Sequence, residues 1–288
     1  MPQGRAKKHH FVPRALQKWF CEQGETIWFC ERDCRGQFSA PERRNTSSTF
    51  KKRDYNTVLE GNRPSDVVEK QYFGPADDFV GILLTEIAKG MACGQIPPIS
   101  QETKGDIRKL VTILVRRSPD FMIGYDDDLA LGREVVERTL AVVDADSGPA
   151  CEEQALKRKL GDDLSLRQIG RDVRVRAQIS PLEKSEKVLQ EFDIRWAQTS
   201  GKHTFILSSR MVYRVGNGGS GGLNDARAQL WVPLMPTLAL VMLRDPANRY
   251  PYTNYIGRDL VRSMNEYAAR NSVQIASSSE RQLKSLTR

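Results

Sequence analysis

Apolar residues recur every three or four positions through the middle of the chain. The clearest stripe ends before Pro119 and consists of Ile107, Leu110, Val111, Leu114 and Val115. This spacing is typical of a helix with one buried face. The same periodicity predicts further helices over residues 65–89, 129–143 and 155–177, the last of them broken near Gly161. A shorter helix is expected to begin after Pro13 and to run to about Cys21.

Shorter apolar runs, of strand length, lie on both sides of this helical region. Near the N-terminus, residues 26–30 and 37–40 flank a turn and predict a β-hairpin. In the C-terminal part, an antiparallel sheet is predicted from strands over 192–198, 203–207, 211–215, 230–234 and 239–243. A helix over 254–270 and a last strand over 272–276 follow. Strands at both ends with helices between them indicate the α+β class, with a helical central region and short antiparallel strands contributed by the N- and C-terminal parts.

The 288 residues are expected to form a single domain. Within it we distinguish a basic segment with the hairpin (1–60), a helical region (61–190), and antiparallel strands with C-terminal helices (191–288). No apolar run approaches the roughly 20 residues that span a bilayer, so no membrane partner is expected. Five cysteines, without a disulfide-like spacing or an apolar leader segment, favour reduced thiols and a cytoplasmic location.

Positive charge is concentrated at the N-terminal end of the chain. The net charge is +8, and residues 1–55 carry +6 of it, with 12 Lys and Arg against 6 Asp and Glu. A basic segment attracts polyanions, nucleic acid first, through the release of counterions. Nucleic acid is therefore the expected partner, although a basic N-terminus that only aids solubility would have the same composition.

Two of the three histidines, His9 and His10, are adjacent and stand just before the helix that follows Pro13. The positive end of a helix dipole lowers the pKa of a nearby imidazole and favours its neutral form. Neutral imidazole is what a general base or a metal ligand requires. The alternative is a pair of partly exposed histidines whose backbone merely enters a helix.

The stretch His10-Phe-Val-Pro13, followed by the Leu16 to Phe20 segment, resembles the opening motif of a bacterial and phage family, domain of unknown function 4238. Further matches to this family occur in the same order along the chain, at Asn45, Asp54-Tyr55, Glu69, Arg117-Ser-Pro119, Phe205 to Ser208, Val232 to Pro236 and Asn265. Where the family places Asp and Pro after the serine, this chain has Ser209-Arg210-Met211. The resemblance implies an architecture more than a reaction.

The histidine stretch is also similar, more locally, to the first strand of His-Asn-His nucleases. That similarity implies a histidine as general base and a divalent ion on the scissile phosphate, with Asn45 as the second site residue. Cys21, Cys30 and Cys34 with a histidine could instead form a zinc site, but the paired CxxC spacing is absent.

Two hypotheses follow from these residues. In the first, the protein is a phosphodiesterase or endonuclease that uses Mg²⁺, Mn²⁺ or Zn²⁺. His9 or His10 is then the base, or His10 a metal ligand. The supporting and phosphate-binding residues would be Asn45, Asp54, Glu69, Arg14, Lys52, Arg53 and Arg117. In the second, it is a non-catalytic basic module that binds nucleic acid or a protein. The enzyme hypothesis requires His9 or His10 to meet a carboxylate or an Asn within hydrogen-bond reach in a cleft, and it fails if the pair faces open solvent alone.

Overall fold

The structure is a computed structural model that describes residues 8–60, 63–119, 127–145, 150–181, 183–216 and 222–287. The chain divides into two compact units. The smaller comprises residues 1–9, 52–74 and 122–180, and the larger comprises residues 10–51, 75–121 and 181–288. Helices and mostly antiparallel strands share one chain, which confirms the α+β class.

The regular elements have the following bounds in chain order. The helices are α1 (Arg14–Trp19), α2 (Gly74–Ala92), α3 (Gln101–Arg117), α4 (Asp128–Ala145), α5 (Ala150–Leu160), α6 (Asp163–Ile179), α7 (Glu183–Gln190), α8 (Arg258–Arg270) and α9 (Glu280–Leu286). The strands are β1 (Lys8–His10), β2 (Thr26–Glu31), β3 (Glu42–Asn45), β4 (Lys51–Arg53), β5 (Val58–Glu60), β6 (Arg63–Ser65), β7 (Asp193–Thr199), β8 (Leu207–Ser208), β9 (Tyr213–Val215), β10 (Gln229–Met235), β11 (Leu238–Leu243), β12 (Thr253–Ile256) and β13 (Gln274–Ser277). A π-helical turn, Glu69–Phe73, precedes α2.

The smaller unit depends on the contact between α4 and α6. Val136 and Leu140 of α4 pack with Leu166 of α6, and Gly132 and Gly170 allow the two backbones to approach closely. A methyl group at Gly132 would overlap the carbonyl of Leu166, and one at Gly170 would overlap that of Asp128. The break predicted near Gly161 is confirmed, since α5 ends just before it and α6 begins just after it.

A five-stranded sheet, in the order β12-β7-β11-β10-β9, lies within the larger unit. Every residue of β11 is buried, as is every residue of β10 but the first. Strands covered on both faces have continuous rather than alternating apolar sequences, which is why residues 230–234 and 239–243 were recognisable. The edge strand β12 pairs parallel to β7, and the other pairs are antiparallel.

The second sheet of this unit, in the order β3-β2-β13-β8, joins the two ends of the chain. Here the predicted hairpin is wrong in one strand, because β2 pairs with β3 and not with residues 37–40. The side chain of Asp33 accepts hydrogen bonds from the backbone N–H groups of Arg35 and Gln37, each at 2.9 Å. This turn leaves only an isolated bridge at Phe38 before the chain enters β3.

Three other elements differ from the prediction. Residues 203–206 are not a strand, because the Asn265 side chain donates to the Thr204 carbonyl and accepts from the Ile206 N–H, groups that a neighbouring strand would otherwise use. Residues 254–256 belong to β12, and the last long helix begins only after Gly257. The helix predicted from residue 65 begins later, at the π-helical turn, since Ser65 ends β6.

Among the described residues, no helix has the length and apolar character that a membrane crossing requires. The glycine-rich stretch between Gly216 and Gly222 lies outside the described residues except at its two ends.

Gly132→Ala or Gly170→Ala should destabilise the protein by about 3 kcal/mol, because two backbones would have to separate to admit one methyl group. Urea unfolding followed by circular dichroism measures the loss. Gly105→Ala is the matched control, since this helical glycine has open space around it and alanine there should be neutral or stabilising by up to about 1 kcal/mol. Equal effects at Gly105 and Gly132 would contradict the close helix contact.

Candidate functional site

The apolar part of the opening motif fixes the position of the histidine pair. Phe11 and Val12 are buried, the Phe11 N–H donates to the Phe50 carbonyl at 2.9 Å, and the Val12 carbonyl accepts from Gln17 Nε2 at 2.8 Å. Helix α1 begins directly after Pro13. His9 and His10 are consecutive residues of β1, so their side chains leave opposite faces of the strand.

The imidazole of His10 is held in its neutral form. Its pKa is lowered from 6.5 to about 4, first because burial penalises the charged ring and then because Arg117, Arg14 and Lys51 lie near it; an interaction with the Thr46 backbone opposes this shift. Neutral His10 is thus a consequence of desolvation and of three positive charges. The helix dipole, on which the sequence argument relied, is not needed to explain it.

The three cations are fixed in different ways. Arg117, in the last turn of α3, has a fully buried side chain that forms an ion pair with Asp77. Arg14 is partly exposed and lies 3.4 Å from Glu25. Lys51 donates from Nζ to the Ser47 carbonyl at 2.6 Å. The site therefore combines one buried cation with two that solvent reaches.

The hydrogen bonding of His10 determines which nitrogen carries the lone pair. Nε2 is buried and has no hydrogen-bond partner among the described residues, whereas the ring is hydrogen-bonded to the Thr46 backbone in a way that raises its pKa. We assign the proton of the neutral ring to Nδ1 from this interaction, which makes Nε2, the atom without a partner, the acceptor nitrogen.

His9 belongs to a separate hydrogen-bonded chain in the smaller unit. The ring is fully buried, and its Nδ1 accepts from the Asn56 backbone N–H at 2.7 Å. The Asn56 side chain donates in turn to Glu69 Oε2 at 2.7 Å. A histidine of the pair thus meets an Asn, through the backbone N–H of Asn56. The Nδ1 lone pair of His9 is occupied, which leaves His10 as the candidate base.

The other predicted site residues have local contacts of their own. Asn45 Oδ1 accepts from the Ser47 N–H at 2.8 Å and closes an exposed turn. Arg53 lies 3.5 Å from Asp54, and Lys52 Nζ lies 5.5 Å from the ring centre of Tyr55. Among the described residues, the charges that shift the His10 pKa belong to Arg117, Arg14 and Lys51. Lys52, Arg53 and Asp54 are not among them.

Sequence reasoning missed Lys51, Asp77 and Asn56. Lys51 begins the run Lys51-Lys52-Arg53, and only the strand register of β4 distinguishes which of these cations accompanies His10. Asp77 lies on a helix forty residues from its partner Arg117. Asn56 is a buried polar residue for which the sequence offers no periodic or spacing signal.

The described residues around His10 do not fit a divalent metal. The described residues contain no cluster of three or more His, Cys, Asp or Glu side chains that could hold an ion, and three cations around His10 repel one. Cys30 is buried whereas Cys34 is exposed, and these described cysteines do not come together with a histidine in such a cluster. A zinc site at Cys21, Cys30 and Cys34, or a metal on His10, therefore lacks support from the donor set.

Fold and site together define an α+β protein with a neutral, desolvated imidazole beside three cations. The profile of the family described as "Protein of unknown function (DUF4238)" matches residues 8–282. The chain belongs to this family, as the opening motif indicated. No curated protein and no solved structure matches it, and none of the comparisons shows the local similarity to His-Asn-His nucleases.

The His10 pKa makes the stability depend on pH in one direction. The unfolded chain binds this proton at 6.5 and the folded chain only near 4, so stability that is present above pH 6.5 is lost as the pH falls towards 4. The loss should reach about 3 kcal/mol at most. Urea unfolding between these pH values should show this slope in the unmodified protein and in His203→Gln, and a flatter one in His10→Gln. Parallel slopes in all three proteins would contradict the assignment.

Proposed function

We propose that this protein acts on nucleic acid as a phosphodiesterase whose reaction is centred on His10. One observation carries the proposal: an imidazole with an unpartnered lone pair on Nε2 lies beside Arg14, Lys51 and Arg117. A buried polar atom without a partner costs about 1–3 kcal/mol. Such an atom next to concentrated positive charge supports a role in binding or catalysis that involves an anion.

A bound phosphodiester would change the chemistry of His10. Its negative charge offsets the three cations, which lower the His10 pKa in addition to burial, the largest cause. Substrate binding should therefore raise this pKa towards neutral pH, where a general base works best. The same cations would stabilise the additional negative charge that develops on the phosphoryl oxygens during the reaction.

RNA is the substrate that this set of residues favours. Its 2′-hydroxyl is a nucleophile held next to the phosphorus, which supplies the advantage of an intramolecular reaction without a metal ion. His10 Nε2 would take the 2′-hydroxyl proton as the 2′ oxygen bonds to phosphorus. The bond to the 5′ oxygen breaks, and that oxygen takes a proton from solvent. The products are a 2′,3′-cyclic phosphate and a 5′-hydroxyl.

A second candidate is a basic module that binds nucleic acid without cleaving it. The observation that favours it is the burial of His10 Nε2, since a substrate has to displace the side chains that cover this atom. In that case the histidine pair is structural and the cations alone contact phosphate.

Cleavage of labelled single-stranded RNA, and of the same sequence as DNA, tests the proposal in chelator, in Mg²⁺ and in Mn²⁺. We expect RNA, and not DNA, to be cleaved in chelator. His10→Gln should reduce the rate at least about 100-fold, as for loss of a general base, and Lys51→Gln should reduce it about tenfold. Lys109→Gln removes the same charge from an exposed position on α3 and should have no effect.

Each other result has a defined meaning. Salt-sensitive binding without cleavage in any condition would establish the binding module. Cleavage that needs a divalent ion, or that survives His10→Gln, would contradict the role of His10 as base.

A further inference from the structure

A cleft of about 480 Å³ within the larger unit carries a second concentration of positive charge. Its lining comes from the turn after β7, the first turns of α8, and α9. The side chains that set its charge are Lys202, Arg258, Arg262, Arg281 and Glu266. Four cations therefore share the cleft with one carboxylate.

The cations of this cleft have few counter-charges. Glu266 lies 2.9 Å from Arg262 and partly neutralises it. The side chains of three of these cations form no hydrogen bond or ion pair with any residue that the structure describes: Lys202, Arg258 and Arg281. Elsewhere in this unit, Arg195 and Arg244 each contact a carboxylate at about 3 Å. Unpaired cations that share a cleft repel one another, and a bound anion removes that repulsion.

The floor of the cleft is fixed by hydrogen bonds. Asn265 on α8 and Gln282 on α9 both donate to the Thr204 carbonyl, which holds the turn that carries Lys202. Helix α8 begins at Arg258, directly after its N-cap residue Gly257. Asp259 in its first turn offsets part of the positive end of the helix, so the charge of the cleft comes from its side chains.

We propose that this cleft binds the sugar–phosphate backbone of a single nucleic-acid strand. Four cations suit phosphate oxygens, as does the hydroxyl group of Ser279, which accepts from the Gln282 N–H and keeps its own proton to donate. His203 is the one aromatic ring among the described residues that line it, so base stacking contributes little and binding should depend mainly on the phosphates. The proposal rests on the nucleic-acid part of the proposed function and is independent of cleavage at His10.

The salt dependence of binding tests the cleft directly. A fluorescent 2′-O-methyl strand of about 12 nucleotides has no free 2′-hydroxyl and therefore resists the proposed cleavage. Each phosphate neutralised on a single strand contributes about 0.7 to the slope of log K against log salt. The variant Lys202→Gln/Arg258→Gln/Arg281→Gln should therefore lower the slope by about 2 and weaken binding at least about 30-fold at low salt.

A matched variant separates the cleft from net charge. Arg43→Gln/Lys109→Gln/Lys184→Gln removes the same three charges from exposed positions in the same unit and should leave the slope within about 0.5 of the original. All three cleft side chains are exposed, so unfolding curves of the cleft variant should match those of the parent.

Two results would overturn the proposal. One is an equal loss of slope in both triple variants. The other is that the parent protein binds inorganic tripolyphosphate in the cleft, while the cleft variant binds the strand as tightly as the parent does. The cleft would then be a site for small phosphates. The 2′-O-methyl strand resists the proposed cleavage, so its binding is measured in the same way whether or not the protein cleaves RNA. The cleft and the proposed reaction can thus fail independently.

Discussion

The pairing of β2 with β13 is the interaction on which the candidate site depends. It joins segments more than 240 residues apart in sequence, with Ile275 opposite Cys30, and Arg32 reinforces it by donating to the carbonyls of Ser272 and Ala269. Phe29 of β2 then packs edge-on against Phe50 at 5.4 Å, and Phe50 against Phe11 at 6.1 Å. Phe11 adjoins His10 in the chain. The position of the imidazole is thus set by contacts between the two ends of the protein.

The same packing explains why the imidazole is neutral. Burial removes water from His10, and the arrangement of α3 and the N-terminal segment brings Arg117, Arg14 and Lys51 close to it. Asp77 partly compensates the buried guanidinium of Arg117, but the described residues near His10 contribute only positive charges to its pKa shift. Under the proposed function, the negative charge of a phosphodiester offsets the repulsion from these cations, while the hydrogen bond missing at Nε2 is supplied by a hydroxyl donor such as the 2′-hydroxyl.

Elements that depend on neighbouring residues were predicted from the sequence, whereas elements that depend on residues far away along the chain were not. The stripe from Ile107 to Val115 and the apolar run of β11 are local patterns, and both elements formed where they were expected. Residues 203–206 failed as a strand because Asn265, some sixty residues away, takes their backbone hydrogen bonds. No local pattern contains that contact.

The candidate site shows the same difference between local patterns and contacts that are distant in sequence. His10, Arg14 and Arg117 were recognised from residue type and from their place before or after a helix. Lys52 and Arg53 were selected from the sequence instead of their neighbour Lys51. Only the pairing and twist of strand β4 decide which of these three cations lies near His10. The buried chain from His9 through Asn56 to Glu69 depends on tertiary contacts that no spacing rule predicts.

The most direct test of this account is the His10 pKa, measured by NMR with and without a bound phosphodiester. A 2′-O-methyl dinucleotide supplies the anion without a reactive hydroxyl, and its neutral methylphosphonate analogue is the control. We expect a pKa near 4 in the free protein, a rise of at least about one unit with the phosphodiester, and little change with the methylphosphonate. An unchanged pKa at saturating phosphodiester would contradict a phosphate site at His10.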